Sequence, residues 1–456
     1  WHIQRAYEYI HRWCEGNLVD ALQGTFQDFV LDGTKVIWYA VDASQDIIKV
    51  FERNNVGKIP LTDAELIKAQ MLQRSRQGDI NALRQQLEIA REWDEMEKAL
   101  RQESLWAFLY GGEVAPVNRI EKLFALVLKQ RGFTEGRIFD RVEAYMKKQK
   151  EEPTLDPNLV QLWSNIKELF FVFTDWYKDH SFYHYIGLLT SMGVSIESIW
   201  DKAKNNPLMT KDSFLEELKR MIGERIRKTF KYKEEEKEEE KKEEKEGFFV
   251  RSNKSEDDKD CYQSGRAVKE LILLYNVQLC LRKDCSERLP FELYHSRDWD
   301  LEHIDSQTES DINSLKEQKE WLSDALPFVN NTDLKTRIES YLDNKEVNED
   351  EFSDLHEQVQ KILGEEEDKY SQSIDNLCLL DAKTNRSYQN ALYPVKRAKI
   401  VKREAEGQYI FPGTRIAFMK FFAVAETERI TVWSHNDKVA FEKHIYTTIK
   451  DFLLTQ

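Results

Sequence analysis

The chain has 456 residues, a formal net charge of −15 and 41% hydrophobic residues. That length exceeds one ordinary core and that apolar content excludes a disordered chain, so two or three folded domains are expected. A charge of −15 argues against nucleic-acid binding by the surface as a whole, so any such contact requires a local basic patch.

The five cysteines (Cys14, Cys261, Cys280, Cys285, Cys378) are irregularly spaced and form no Cys-x-x-Cys pair. They read as free thiols in a reducing cytoplasm rather than as a disulfide scaffold. No apolar run approaches a bilayer span, no signal peptide is visible, and no membrane partner is expected. A start at Trp1 rather than at Met reads as a fragment.

Residues 1–31 read as two helices, with Ile3, Ala6, Tyr7, Ile10 and Trp13 at helical spacing. Gly33-Thr34 breaks the pattern, and Lys35–Val41 has the β-branched and aromatic content of a buried strand. Ser44–Arg53 reads as helix and Asn54–Lys58 as turn. A further helix opens after Pro60, with Thr62 as N-cap and Glu65 at the capping-box position. The segment Val50–Lys68, which carries Phe51 and Asn55, resembles the Phe-x-x-x-Asn segment of the ParB-like nucleotide-binding domain of GmrSD-type restriction enzymes. The resemblance implies the C-terminal part of a ParB-like α/β domain over residues 1–75. It also implies GTP or ATP as cofactor, with Phe51 and Asn55 at the nucleotide. The Asp-Gly-Gln-Gln-Arg motif that precedes this segment in the family is absent. The purely structural alternative places Phe51 in a core and Asn55-Val56-Gly57 in a turn.

Residues 76–230 read as a helical domain. Leu83, Leu87, Ala90, Trp93 and Met96 form one stripe, and Leu123, Phe124, Val127 and Leu128 another. The aromatics Phe170, Phe171, Phe173, Trp176, Tyr177, Phe182, Tyr183 and Tyr185 read as packing between helices, with a base-stacking surface as the alternative. His180 and His184 stand at i, i+4, but without the Glu of a zinc-protease arrangement they read as structural. Residues 231–246 hold nine Glu and six Lys, a pattern of either a solvated helix or a flexible linker. Residues 231–260 are expected to be a charged linker.

Residues 261–456 read as a last domain. Val268–Cys280 is a helix or a strand-like apolar segment, and Leu289–Tyr294 leads into a short strand, Trp299–Asp305. An acidic helical insertion covers 310–366, with Trp321, Leu322, Leu326 and Phe328 as its apolar face. A second strand follows at Asn376–Asp381, then a helix after Thr384, a helical segment at Arg415–Phe422, and a last helix at Asp437–Leu454 with Ser434 as cap.

The two short strands carry the chemistry. Cutting a phosphodiester needs an activated water, a cation on the phosphate and stabilisation of the leaving oxygen. A histidine on a strand can take the proton, and a carboxylate beside it with a later Asn oxygen can hold a hard cation such as Mg²⁺ or Mn²⁺. Glu302-His303, Asn376 and Asn385 supply these types. Between Lys383 and Arg403 stand seven basic residues and no acid, a local footprint for phosphate whose bland alternative is a solvated helix face.

Trp-Asp-Leu-Glu-His-Ile at 299–304, Asn-Leu-Cys-Leu-Leu-Asp at 376–381 and Thr-Asn-Arg-Ser-Tyr-Gln-Asn at 384–390 resemble the HNH, or ββα-metal, nuclease motif. The resemblance implies His303 as general base, Glu302 and Asn385 as metal ligands, and Asn376 holding the loop and orienting the His303 ring. Arg386, Asn390, Lys396 and Arg397 would face DNA phosphates. Ser306 stands where many members have proline, and the zinc-binding Cys pairs of some relatives are absent.

With the ParB-like segment ahead of it, the chain resembles the GmrSD-type nucleases in the family's own order. The expected fold is α+β and predominantly helical: a partial ParB-like domain, a helical middle and a C-terminal HNH domain. The expected function is a cytoplasmic, metal-dependent, nucleotide-regulated DNA endonuclease or nickase of an anti-phage restriction system, acting on modified phage DNA. Both a homo-oligomer and a partner subunit are compatible with it. The alternative is a nucleotide-sensing interaction subunit with an inactive HNH centre; an RNase using the same centre is a third reading.

Overall fold

The computed structural model describes residues 2–17, 28–35, 61–72, 80–151, 159–205, 208–235, 246–251, 265–305, 312, 314–344, 348–363, 373–382, 391–422 and 430–454. The chain divides into two compact units, residues 1–62 and 63–456. In the first, the described parts are helix α1 (His2–Asn17) and a helical turn at 28–31, where the Gly33 amide (3.1 Å) and the Thr34 hydroxyl (3.3 Å) donate to the Phe29 carbonyl. The apolar stripe of α1 is real, but Ile3, Tyr7, Ile10 and Trp13 are exposed rather than packed. The expected strand beyond Lys35, the helix at 44–53, Phe51 and Asn55 lie outside the described residues.

The second unit begins with helix α2 (Asp63–Leu72), directly after the expected cap Thr62. Its Ala64, Ile67 and Met71 recur at i, i+3 and i+7 and are buried. Asp63 accepts from Arg137 Nε (2.9 Å), and the Ala64 amide donates to Glu121 (3.0 Å). These contacts tie α2 to the helical middle, in the compact unit that begins at Asp63. Helices α3 (Ile80–Leu100), α4 (Glu103–Tyr110), α5 (Glu121–Gln130), α6 (Ile138–Glu151), α7 (Leu159–Lys178), α8 (His180–Ser191), α9 (Ile196–Lys204) and α10 (Lys211–Arg227) follow. The buried stripe of α3 is Ile89, Trp93, Met96 and Leu100; Leu87, expected on it, is 64% exposed. The aromatics of α7 and α8 are core, apart from the exposed Phe171.

Helix α8 is central. Asp179 caps it by accepting from the Ser181 and Phe182 amides (3.0 Å each) and pairs with Lys211 (2.6 Å). Gly187 lets Phe291 lie directly against the α8 backbone, because a Cβ there would overlap the Phe291 ring. Gly187→Ala is therefore expected to cost about 1–3 kcal/mol despite its better helix propensity, read by urea unfolding. His184 is also fully buried on α8. Its Nδ1–H donates to the His180 carbonyl (2.7 Å) and its Nε2 accepts from the Leu289 amide (3.1 Å), so both nitrogens are used and the ring is neutral.

Burial pushes His184 down from 6.5 to about 4, and lowers His295 to about 4 by the same cause. On acidification the unfolded chain takes up these protons near pH 6.5, whereas the fold resists them until about pH 4. Stability contributed by neutral His184 is thus present above pH 6.5 and falls between 6.5 and 4, by up to about 3 kcal/mol. Denaturant titrations at pH 7 and 4.5 check this; equal midpoints would contradict it.

The Lys/Glu run is not a helix where it is described. Phe230–Glu235 (β1) pairs antiparallel with Glu246–Arg251 (β2). The cause is a period-two apolar pattern ahead of the charges: Phe230 is buried, and Tyr232 stacks on Tyr446 at 3.8 Å between ring centroids. The Phe249 amide donates to Glu442 (2.8 Å).

Beyond it come α11 (Arg266–Cys280), α12 (Phe291–Ser296), β3 (Trp299–His303), α13 (Leu315–Ala325), α14 (Thr332–Asp343), α15 (Glu349–Leu363), β4 (Leu377–Asp381), α16 (Tyr393–Ala405), α17 (Pro412–Met419) and α18 (His435–Leu453). Val268–Cys280 is thus helix, and Ser434 caps α18 in a capping box with Asp437.

One continuous core includes residues from Ala64 to Phe452, so the helical middle and the C-terminal part share it. The insertion has its own small core, built from Trp321, Leu322, Ile338, Tyr341, Leu355 and Val359, which Leu392 joins from beside α16. The described fold is mostly helical with two two-stranded antiparallel sheets. Among the described residues no helix is long and apolar enough to cross a membrane.

Candidate functional site

Strands β3 and β4 come from segments on either side of the insertion and pair antiparallel, Trp299 opposite Asp381 and His303 opposite Leu377. The pair is embedded. Leu377, Cys378, Leu379 and Leu380 are all buried, as expected of a strand covered on both faces. Lys269 donates to the Trp299 carbonyl (2.6 Å), the Trp299 indole to the Leu293 carbonyl (3.1 Å), and the Thr414 hydroxyl to the Leu379 carbonyl (2.9 Å). Burial raises the Cys378 thiol well above its ordinary value, with Glu302 opposite adding to the effect. Cys378 is thus a packed side chain and not a nucleophile.

At the His303 end the backbone is fixed from several directions. Asn376 is 1% exposed. Its side-chain oxygen accepts from the Asp305 amide (2.9 Å), its Nδ2 donates to the Asp305 carbonyl (3.0 Å), and its own carbonyl accepts from the Ile304 amide (2.8 Å). Asp305 Oδ1 accepts from the Tyr393 amide (3.3 Å), placing a carboxylate at the N-terminus of α16. Lys396 Nζ donates to the His303 carbonyl (2.7 Å). The half-buried His303 therefore stands on a backbone with little freedom. Asn376 thus ties the start of the second motif half to the backbone of Asp305.

Glu302 and Lys396 are not where the motif put them. Lys396, expected on DNA phosphates, is fully buried, and its ammonium contacts Glu302 Oε1 at 2.5 Å. The signal for this was in the sequence: Tyr393, Lys396 and Ile400 recur at i, i+3 and i+7, so Lys396 sits on the apolar stripe of α16. Glu302, expected to hold a metal, is instead spent on that ammonium. Successive strand residues also point to opposite faces, so Glu302 and His303 diverge. Glu302 does not fit a metal site here. Among the described residues no group of three His, Cys, Asp or Glu side chains could hold a metal ion. Arg397 Nε donates to the Phe418 carbonyl (3.0 Å). Asn385, Arg386 and Asn390 lie outside the described residues.

The rest of the described basic footprint lies at the far end of the strand pair. Trp299 and Asp381 are about 13 Å from His303 along the strands. There a cleft of about 1130 Å³ is lined by Arg297, Asp298, Asp381, Lys399, Lys402 and Arg403, among others. Arg403 pairs with Asp381 (3.5 Å) and Lys399 with Asp324 (2.7 Å). Arg297, Asp305 and Lys269 were not singled out in the sequence, because their roles depend on contacts across the chain. No family model, curated protein or solved structure matches the chain.

Proposed function

We propose that this chain is an HNH-type DNA endonuclease or nickase of the GmrSD kind, with His303 as general base. The observation that carries the reading is the placing of His303. It ends a strand pair assembled from the two motif halves; Lys396 donates to its carbonyl, and the Asn376 side chain pins the backbone of Asp305 two residues on. In this reaction water adds to phosphorus as its proton passes to the imidazole, and the P–O bond to the leaving oxygen breaks. Mg²⁺ or Mn²⁺ stays in the reading as cofactor, without Glu302 among its ligands. Nucleotide control by GTP or ATP, action on modified phage DNA and a cytoplasmic setting rest on the family resemblance.

The second reading is a nucleotide-sensing subunit with an inactive HNH centre. The ion pair of Lys396 with Glu302 favours it, since that pair occupies the acid of the motif. Supercoiled plasmid and modified phage DNA, incubated with the full chain and Mg²⁺ or Mn²⁺, with and without GTP or ATP, separate the two. Metal-dependent nicking supports the nuclease; intact DNA in every lane supports the sensing subunit.

A further inference from the structure

We infer that Lys396 is the built-in cation of the β3–β4–α16 unit: its ammonium neutralises Glu302, and Glu302 anchors the helix to the strands instead of binding metal. The inference rests on the nuclease reading only for the comparison with a metal site. The contacts stand on their own.

Lys396 is 0% exposed and the Glu302 side chain 13%. Both groups that Lys396 reaches, Glu302 Oε1 (2.5 Å) and the His303 carbonyl (2.7 Å), are acceptors, so each needs the donor protons that an ammonium carries. A lysine placed so deeply is disfavoured unless a charge and hydrogen bonds compensate it. A divalent ion on Glu302 would stand beside that ammonium, and the two cations would repel at short range. Two turns further along α16, Arg403 meets Asp381 at the other end of the strand pair, so ion pairs pin the helix at both ends. The pair also fixes the His303 carbonyl, which makes Lys396 a positioning residue for the proposed base.

A double-mutant cycle on the full chain tests the pairing. Lys396→Met leaves Glu302 buried without a counter-charge and is expected to lower Tm by about 4–6 °C. Adding Glu302→Gln removes the stranded charge and is expected to restore at least half of that loss. Additive losses, with no recovery in the double variant, would overturn the pairing. Should Lys396→Met fail to fold, Glu302→Gln alone still decides the metal question by Mn²⁺ titration followed by electron paramagnetic resonance. Its Mn²⁺ affinity is expected to stay within about twofold of wild type, since this carboxylate is not a ligand. A loss of about tenfold or more would make Glu302 a ligand and overturn the inference. If neither protein binds Mn²⁺, Glu302 is again not a ligand, and it is the metal-dependent part of the nuclease reading that fails. DNA cleavage that survives His303→Ala would sink the nuclease reading while leaving the Lys396–Glu302 coupling intact.

Discussion

His303→Ala is expected to lower the rate of DNA cleavage by about 10²–10⁴-fold, the range that removal of a general base produces. The fold should survive it. His303 is half-buried at the end of β3, and hydrogen bonds to its carbonyl and to the backbone of Ile304 and Asp305 hold this end of the strand. Those groups persist in the alanine variant, so Tm is expected to stay within a few degrees of wild type. A matched melting curve beside the cleavage assay separates lost chemistry from lost structure.

Asn376→Ala is expected to be the more damaging change to the protein itself. It removes both side-chain bonds to Asp305 and leaves the part-buried N–H and C=O of that residue without those partners. Each such loss costs about 1–3 kcal/mol, so about 2–4 kcal/mol is expected from urea unfolding. Asn376→Asp should do no better than alanine: a carboxylate still accepts from the Asp305 amide but sets a negative oxygen against the Asp305 carbonyl. Cleavage should fall in both variants, because the loop that follows His303 is no longer pinned. An Asn376→Ala protein with wild-type stability and wild-type cleavage would show that the clamp does not matter.

Much of this architecture was legible in the sequence. Two short apolar strands about a helical insertion were readable because each half has a self-contained local pattern, and they pair as expected. The capping box at Ser434 was equally local. What escaped the sequence depends on the tertiary fold. The Lys/Glu run hid a strand because its one aromatic residue, Tyr232, finds its partner Tyr446 on α18, about two hundred residues on. The shared core was hidden for a related reason: a charged segment resembles a linker, yet residues on either side of it pack into one cluster. Lys396 was placed on DNA phosphates by the motif resemblance, although its helical spacing from Tyr393 and Ile400 placed it inside.

Nicking of supercoiled plasmid, followed over time with Mn²⁺ for the wild-type chain and for His303→Ala at equal concentration, tests the central claim most directly. The expected result is conversion to open circles by the wild type and about a hundredfold or greater slowing in the variant. Equal rates in the two proteins, with both folded, would contradict His303 as the base.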